Sequence, residues 1–191
     1  MTDAIQTMLL YFILPLWLLA GIADWLCHRA ARIEISAGPR ESLIHLLMFG
    51  EMAVPFLAGL LLDIDAMVIL VMILAFLVHE VTALWDVNFA TRYREVSPIE
   101  QHVHSFLELV PLMALLMVCL LHWGQFLALF GAGDESARFS LTWKEPPLPT
   151  SYLVVVLAAA LLTEILPYLE ELLRGLRAGS RRAIFKPISP P

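Results

Sequence analysis

Six carboxylates and four histidines sit in stretches of sequence otherwise apolar enough to cross a membrane. They are Asp24, Glu41, Glu51, Asp86, Glu100 and Glu108, with His28, His45, His79 and His104. Ionisable side chains at membrane depth are costly, and their default reading is functional. Their spacing is helical. Asp24 and His28 are four residues apart, as are Glu41 and His45; His79 and Asp86 are seven apart; Glu100, His104 and Glu108 step by four. Residues at these separations share one face of a helix. The stretch SPIEQHVHSFLELVP, residues 97–111, shows the pattern at its densest.

Six negative charges brought together in a span need neutralising, and the spans themselves carry no lysine or arginine to do it. Either several acids are protonated or metal ions balance them. Two divalent cations held by Asp24, His28, Glu41, His45, Glu51, His79, Asp86, Glu100, His104 and Glu108 would cancel most of it, leaving a net charge of about −2 that protonation reduces further. Mixed oxygen and imidazole ligation suits iron, manganese or zinc, with iron favoured. Helix bundles hold carboxylate-bridged dinuclear centres with glutamates and Glu/His pairs from facing helices. The pairs here are at i,i+4, where that motif uses i,i+3, so the chemistry is shared and no family membership follows.

The function expected from this set is a membrane di-iron oxidoreductase (a hydroxylase, desaturase or oxidase) acting on a lipid-like or other hydrophobic small molecule, with an electron donor as partner. Three alternatives use the same residues: a divalent-metal or proton transporter, a b-type haem anchor with His45 and His104 as axial ligands, and a zinc-dependent lipid hydrolase. The sequence has no H-E-x-x-H motif, no phosphate-cradling glycine loop and no nucleic-acid signature, and it lacks the H-x-x-H-H boxes of membrane desaturases.

Plainer roles stand beside these. Ser97-Pro98-Ile99-Glu100 matches a helix capping box, and Glu41 follows Gly38-Pro39 in the same way, so both glutamates could be caps. His28 adjoins Arg29 and could be an interfacial residue. His102 and His122 face elsewhere, and Glu80 ranks second. Glu164, Glu170 and Glu171 could reach the same depth or pair with Arg174 and Arg177. Glu51 lies six residues from His45, about 120° around an ideal helix, so a bulge near Gly50 is needed to bring the two onto one face.

The elements that must position these groups are membrane helices. Hydrophobic residues make up 60% of the 191 and charged residues 16%, too apolar for a soluble domain. Five apolar runs, near 5–26, 42–62, 66–87, 101–123 and 151–173, are each long enough to span a bilayer. In lipid their backbones must be helical, so the fold class is all-α: a polytopic membrane helix bundle. Ten of the twelve Lys and Arg flank one set of span ends, leaving Arg138 and Lys144 on the other. The positive-inside rule then puts the N-terminus outside and the C-terminus in the cytoplasm, with the metal centre near the cytoplasmic face. Pro55 and Pro111 are expected to kink their helices near Glu51 and Glu108.

Residues 124–150 form the one long outer loop, in which FSLTW could pair as a short strand and Trp143 could anchor at headgroups. Residues 174–191 are a basic tail suited to anionic lipid or to disorder. Cys27 and Cys119 belong near opposite ends of their spans, too far apart for a disulfide. Finally, Pro39-x-Glu41-x-x-x-His45 and Pro98-x-Glu100-x-x-x-His104 echo one another. Each follows a span ending in an Asp/Trp pair, Asp24-Trp25 and Trp85-Asp86. The pattern suggests a duplicated helical hairpin, spans 1–2 and 3–4, with a fifth helix added.

Overall fold

The protein was analysed as a computed structural model, which describes residues 2–184. Five helices are long and apolar enough to cross a membrane: α1 Thr2–Ala31, α2 Pro39–Leu61, α3 Ala66–Ala90, α4 Pro98–Leu121 and α5 Thr150–Gly179. They coincide with the five expected runs, with ends shifted by a few residues. The last helix continues to Ile184, through the first part of the basic tail; residues 185–191 of that tail lie outside the described residues.

Local chemistry sets the boundaries. Arg32, in the left-handed region at φ 53°, ends α1. Gly38 at φ 77° turns the chain into Pro39, the first residue of α2. Asp65 caps α3 by accepting from the Val68 N–H, and Ser97 caps α4 by accepting from the Glu100 N–H. Both α2 and α4 run on through Pro55 and Pro111. The bulge near Gly50 that would bring Glu51 and His45 onto one face does not form. Instead, wide π-turns interrupt α1 at Leu9–Ile13 and α5 at Leu161–Ile165.

The helices close into a ring in the order α1, α4, α3, α2, α5 and back to α1. Outward faces are apolar and open: Val81 is 68% exposed, and Leu77, Leu84, Leu116 and Leu162 are similar. Exposed apolar surface on this scale suits a lipid surround. At the end nearest the 124–150 loop the interior is a dry core of Ile64, Val68, Ile69, Met72 and Cys119. At the opposite end it is polar.

The loop itself is more ordered than its composition suggests. Trp123–Leu129 forms a short helix. Gln125 then ties the loop down, accepting from the N–H of Ala66 and Arg138 and donating to Glu135. Among the described residues no strand forms; a single bridge pairs Leu62 with Trp143. Both cysteines are free, as their separation required.

Candidate metal centre

All five spanning helices and one loop contribute to a single buried polar cluster. Glu171 of α5 lies at its base, fully buried. Its two oxygens take the two histidines of the first hairpin: His28 Nδ1 at 3.0 Å and His45 Nδ1 at 2.9 Å. A carboxylate accepts, so each ring donates its Nδ1–H, and a neutral ring then keeps its lone pair on Nε2. The two rings stack, with centroids 4.3 Å apart and planes 12° apart.

The freed Nε2 atoms face other acids. His45 Nε2 is 3.3 Å from Asp86 Oδ1; His28 Nε2 is 3.4 Å from Asp24 Oδ2 and 3.6 Å from Glu100 Oε1. His104 Nε2 lies 2.8 Å from Asp24 Oδ1. The two hairpins are therefore cross-linked: the aspartate of each meets the histidine of the other. Tyr168 donates its hydroxyl to Asp24 at 3.0 Å.

Arg94, from the connection between α3 and α4, reaches into the cluster and grips Glu41 and Glu100 together. Its side chain is only 5% exposed. Burial works against its charge, but the two carboxylates outweigh that and raise its pKa further above the usual value. Two expectations change here. The five runs expected from sequence hold no lysine or arginine, yet Arg94 of the connection supplies one positive charge at the cluster. Neither glutamate completes a capping box: Ser97 makes its half of the bond, while the Glu100 side chain turns to Arg94.

Of the ten residues singled out in the sequence, Asp24, His28, Glu41, His45, Asp86, Glu100 and His104 meet in this network. Three do not join it. Glu51 and His79 form a separate pair nearer the middle of the bundle, 3.7 Å apart, with Thr82 donating to Glu51 at 2.8 Å. The angular offset from His45 holds because α2 is regular. Glu108 lies one turn beyond His104, half-buried, and its charge is felt at Glu80 of α3. It makes no hydrogen bond or ion pair to the cluster.

Sequence reasoning missed two members, Arg94 and Tyr168, and named Glu171 only as able to reach the same depth or to pair with Arg174 and Arg177. Arg94 lies in a loop, where no periodicity announces an inward side chain. Glu171 and Tyr168 did carry a signal: with Glu164 they are spaced i, i+4, i+7 on one face of α5. Their neighbour Glu170 takes the surface role, pairing with Arg29 and Arg174.

Two overlapping triads have ligand atoms close enough to share an ion: Asp24, His28 and His104, and His28, His45 and Glu171. In the second, Glu171 already spends both oxygens on Nδ1–H donors, so it suits an orienting role behind the ligands. His28 Nε2, His45 Nε2, Asp24 Oδ1 and Asp86 Oδ1 are buried and make no regular hydrogen bond, although each faces an oppositely chargeable group of the cluster at 2.8–3.6 Å. Left wholly unpaired, such atoms would cost about 1–3 kcal/mol each.

Compared with protein-family models, curated proteins and solved structures, the chain finds no match.

Proposed function

We propose that this chain is an integral membrane metalloprotein holding two divalent cations in the cluster, and that it acts as an oxidoreductase on a hydrophobic substrate. The observation that carries the reading is the pair of overlapping triads, Asp24, His28 and His104 with His28, His45 and Glu171, whose ligand atoms lie within 4.8 Å of one another. Charge supports it. Asp24, Glu41, Asp86, Glu100 and Glu171 against Arg94 leave four formal negative charges when the imidazoles are neutral, which two divalent ions cancel. Protonated histidines are the competing balance. Two imidazolium rings stacked 4.3 Å apart would repel by about 4 kcal/mol at an effective dielectric of about 20. That disfavours both rings being cationic together.

Iron remains the favoured metal, with manganese and zinc as the other fits to this ligand set. Bound iron would supply electrons to dioxygen. Placing one oxygen atom in a C–H bond and reducing the other to water consumes two electrons and two protons, so an electron donor belongs to the reading. The chain's own residues hold the centre: Glu171 fixes two imidazoles, Arg94 fixes two carboxylates, and the apolar core beyond excludes water. That same core supplies no polar path to the far side, which weighs against a transporter. The haem alternative needs His45 and His104 to face one porphyrin, but their Nε2 atoms face Asp86 and Asp24 instead, which weighs against it. The arginine distribution orients the site toward the cytoplasm, with the N-terminus outside. Glu41 and Glu100, third residues of α2 and α4, both grip Arg94, which fits a duplicated hairpin.

Anaerobic loading of metal-free protein with Fe(II), followed by exposure to air, tests the reading. A new near-ultraviolet absorption band lost in His45→Ala supports it. No uptake of Fe(II) rules it out.

A further inference from the structure

A cavity of about 180 Å³ opens between α1, α2, α3 and α4. Trp17, Met52, Pro55, Phe76, Pro111 and Leu115 are among its walls, which are almost wholly apolar. It exceeds the roughly 150 Å³ at which a dry apolar cavity admits benzene.

Its position relative to the cluster follows from heptad spacing. Trp17 is seven residues from Asp24, Met52 from His45, and Pro111 from His104. Residues seven apart share a helix face, so three helices turn the same side to cavity and cluster. The offset is about 10 Å along the bundle. On α3 the series runs Met72, His79, Asp86: the first lines the cavity, the last belongs to the cluster, and His79 lies between.

The layer between is polar and incomplete. His79 is 5% exposed and neither ring nitrogen makes a regular hydrogen bond; its Nδ1 faces Glu51 Oε2 at 3.7 Å. Glu51 accepts from Thr82 through Oε1, while Oε2 makes no hydrogen bond. Neither residue lines the cavity itself; His79 is one turn from the lining residue Phe76 and Glu51 one turn from Pro55, so both stand just beyond its end toward the cluster.

We infer that the cavity binds the tail of a single-chain amphiphile whose head is a hydrogen-bond donor, a long-chain alcohol in the simplest case, with the head reaching Glu51 and His79 just beyond the cavity's end. This rests on the metal-centre reading only for what happens next, since it places the head-bearing carbon on the side facing the metals. Several methylenes fit inside, and the remainder of the chain leaves past the half-buried Leu9 and Leu10. A hydroxyl satisfies Glu51 Oε2 by donating and can accept from His79. A carboxylate head would meet Glu51 as a like charge in a site of low dielectric, so a fatty acid of the same length binds more weakly.

Photolabelling decides the matter. A long-chain alcohol bearing a diazirine on its tail, and the matching fatty acid, are each irradiated with the full chain in lipid nanodiscs, and labelled residues are mapped by mass spectrometry. The alcohol is expected on Met52, Phe76 or Leu115, at least tenfold above the acid. Glu51→Gln should narrow that ratio, and Ala114→Leu, which fills the cavity, should cut the alcohol label about tenfold without changing metal content. Label confined to outward-facing Leu109, Leu116 and Val81, or equal labelling by alcohol and acid, overturns the inference. The wild-type comparison stands even if a variant does not fold. Labelling as expected in protein that binds no metal would sustain the cavity and remove the metal centre; metal-loaded protein labelled only outside would do the reverse.

Discussion

The imidazoles of His28 and His45 lie face to face, 4.3 Å between centroids, with both Nδ1 atoms on the one carboxylate of Glu171. A single buried acid thereby sets the tautomer of two rings from different helices. Glu171→Gln should be nearly as harmful as Glu171→Ala. An amide offers one acceptor and one donor, so one ring must reverse its protonation and lose its Nε2 lone pair. Metal affinity is expected to fall about 10–100-fold in both variants, measured by competition with a chelator. Unchanged affinity would show that Glu171 orients nothing that binds metal.

Arg94 joins the two hairpins through Glu41 and Glu100. Removing it leaves two buried carboxylates facing each other without a partner. Arg94→Met should therefore cost about 3–5 kcal/mol, read as a loss of thermal stability in detergent. Adding Glu41→Gln and Glu100→Gln to the same chain should recover much of the loss, since the uncompensated charge goes with them. A single variant as stable as the wild type would contradict the pairing.

Gly21 and Gly50 make a controlled comparison. A Cβ at Gly21 would land on the carboxylate of Glu164, buried where α5 widens into a π-turn, while a Cβ at Gly50 meets open space. Gly21→Ala should destabilise by about 1–3 kcal/mol through overpacking. Gly50→Ala, on an outward helix face, should be neutral or stabilising by up to about 1 kcal/mol. Thermal unfolding of the two variants side by side checks both signs.

Asp65 clasps the long loop to the start of α3. Burial pushes its carboxyl upward, but the Val68 N–H and the N–H and hydroxyl of Ser140 outweigh this and hold its pKa below the ordinary 3.8. A lowered folded-state value means the stabilisation is complete above the unfolded pKa and is lost as pH falls through the folded one. The clasp is thus expected to hold at neutral pH and to open only well below pH 4. Asp65→Ala should open it at neutral pH, costing about 1 kcal/mol from the cap alone. Hydrogen exchange of residues 138–144, corrected for intrinsic rates, reports both; unaltered protection in the variant would refute the clasp.

Much of this arrangement was legible before any coordinates. Polar groups in an apolar run must turn inward, and i,i+4 spacing told which ones turn together, so Asp24, His28, His45, Glu100 and His104 converge as expected. The same rule overreached at Glu108, which shares a face with His104 but stands one turn deeper, where α4 looks toward Glu80. Glu51 carried its own warning in the six-residue gap from His45. Arg94 was hidden for a physical reason: a loop has no period, and whether its side chains re-enter a bundle depends on tertiary closure. Glu171 was masked by company, since Glu170, Arg174 and Arg177 give the segment the look of a solvated helix end.

The central claim is that cations hold the buried acids and imidazoles together. Elemental analysis of protein purified in mild detergent, taken with His45→Ala and His104→Ala variants of confirmed helicity, addresses it most directly. The account predicts close to two transition-metal ions per chain, iron foremost, falling to one or fewer in either variant. Purified protein without bound metal, or a metal content that both substitutions leave untouched, would contradict it and leave Arg94 and protonated histidines as the balance of charge.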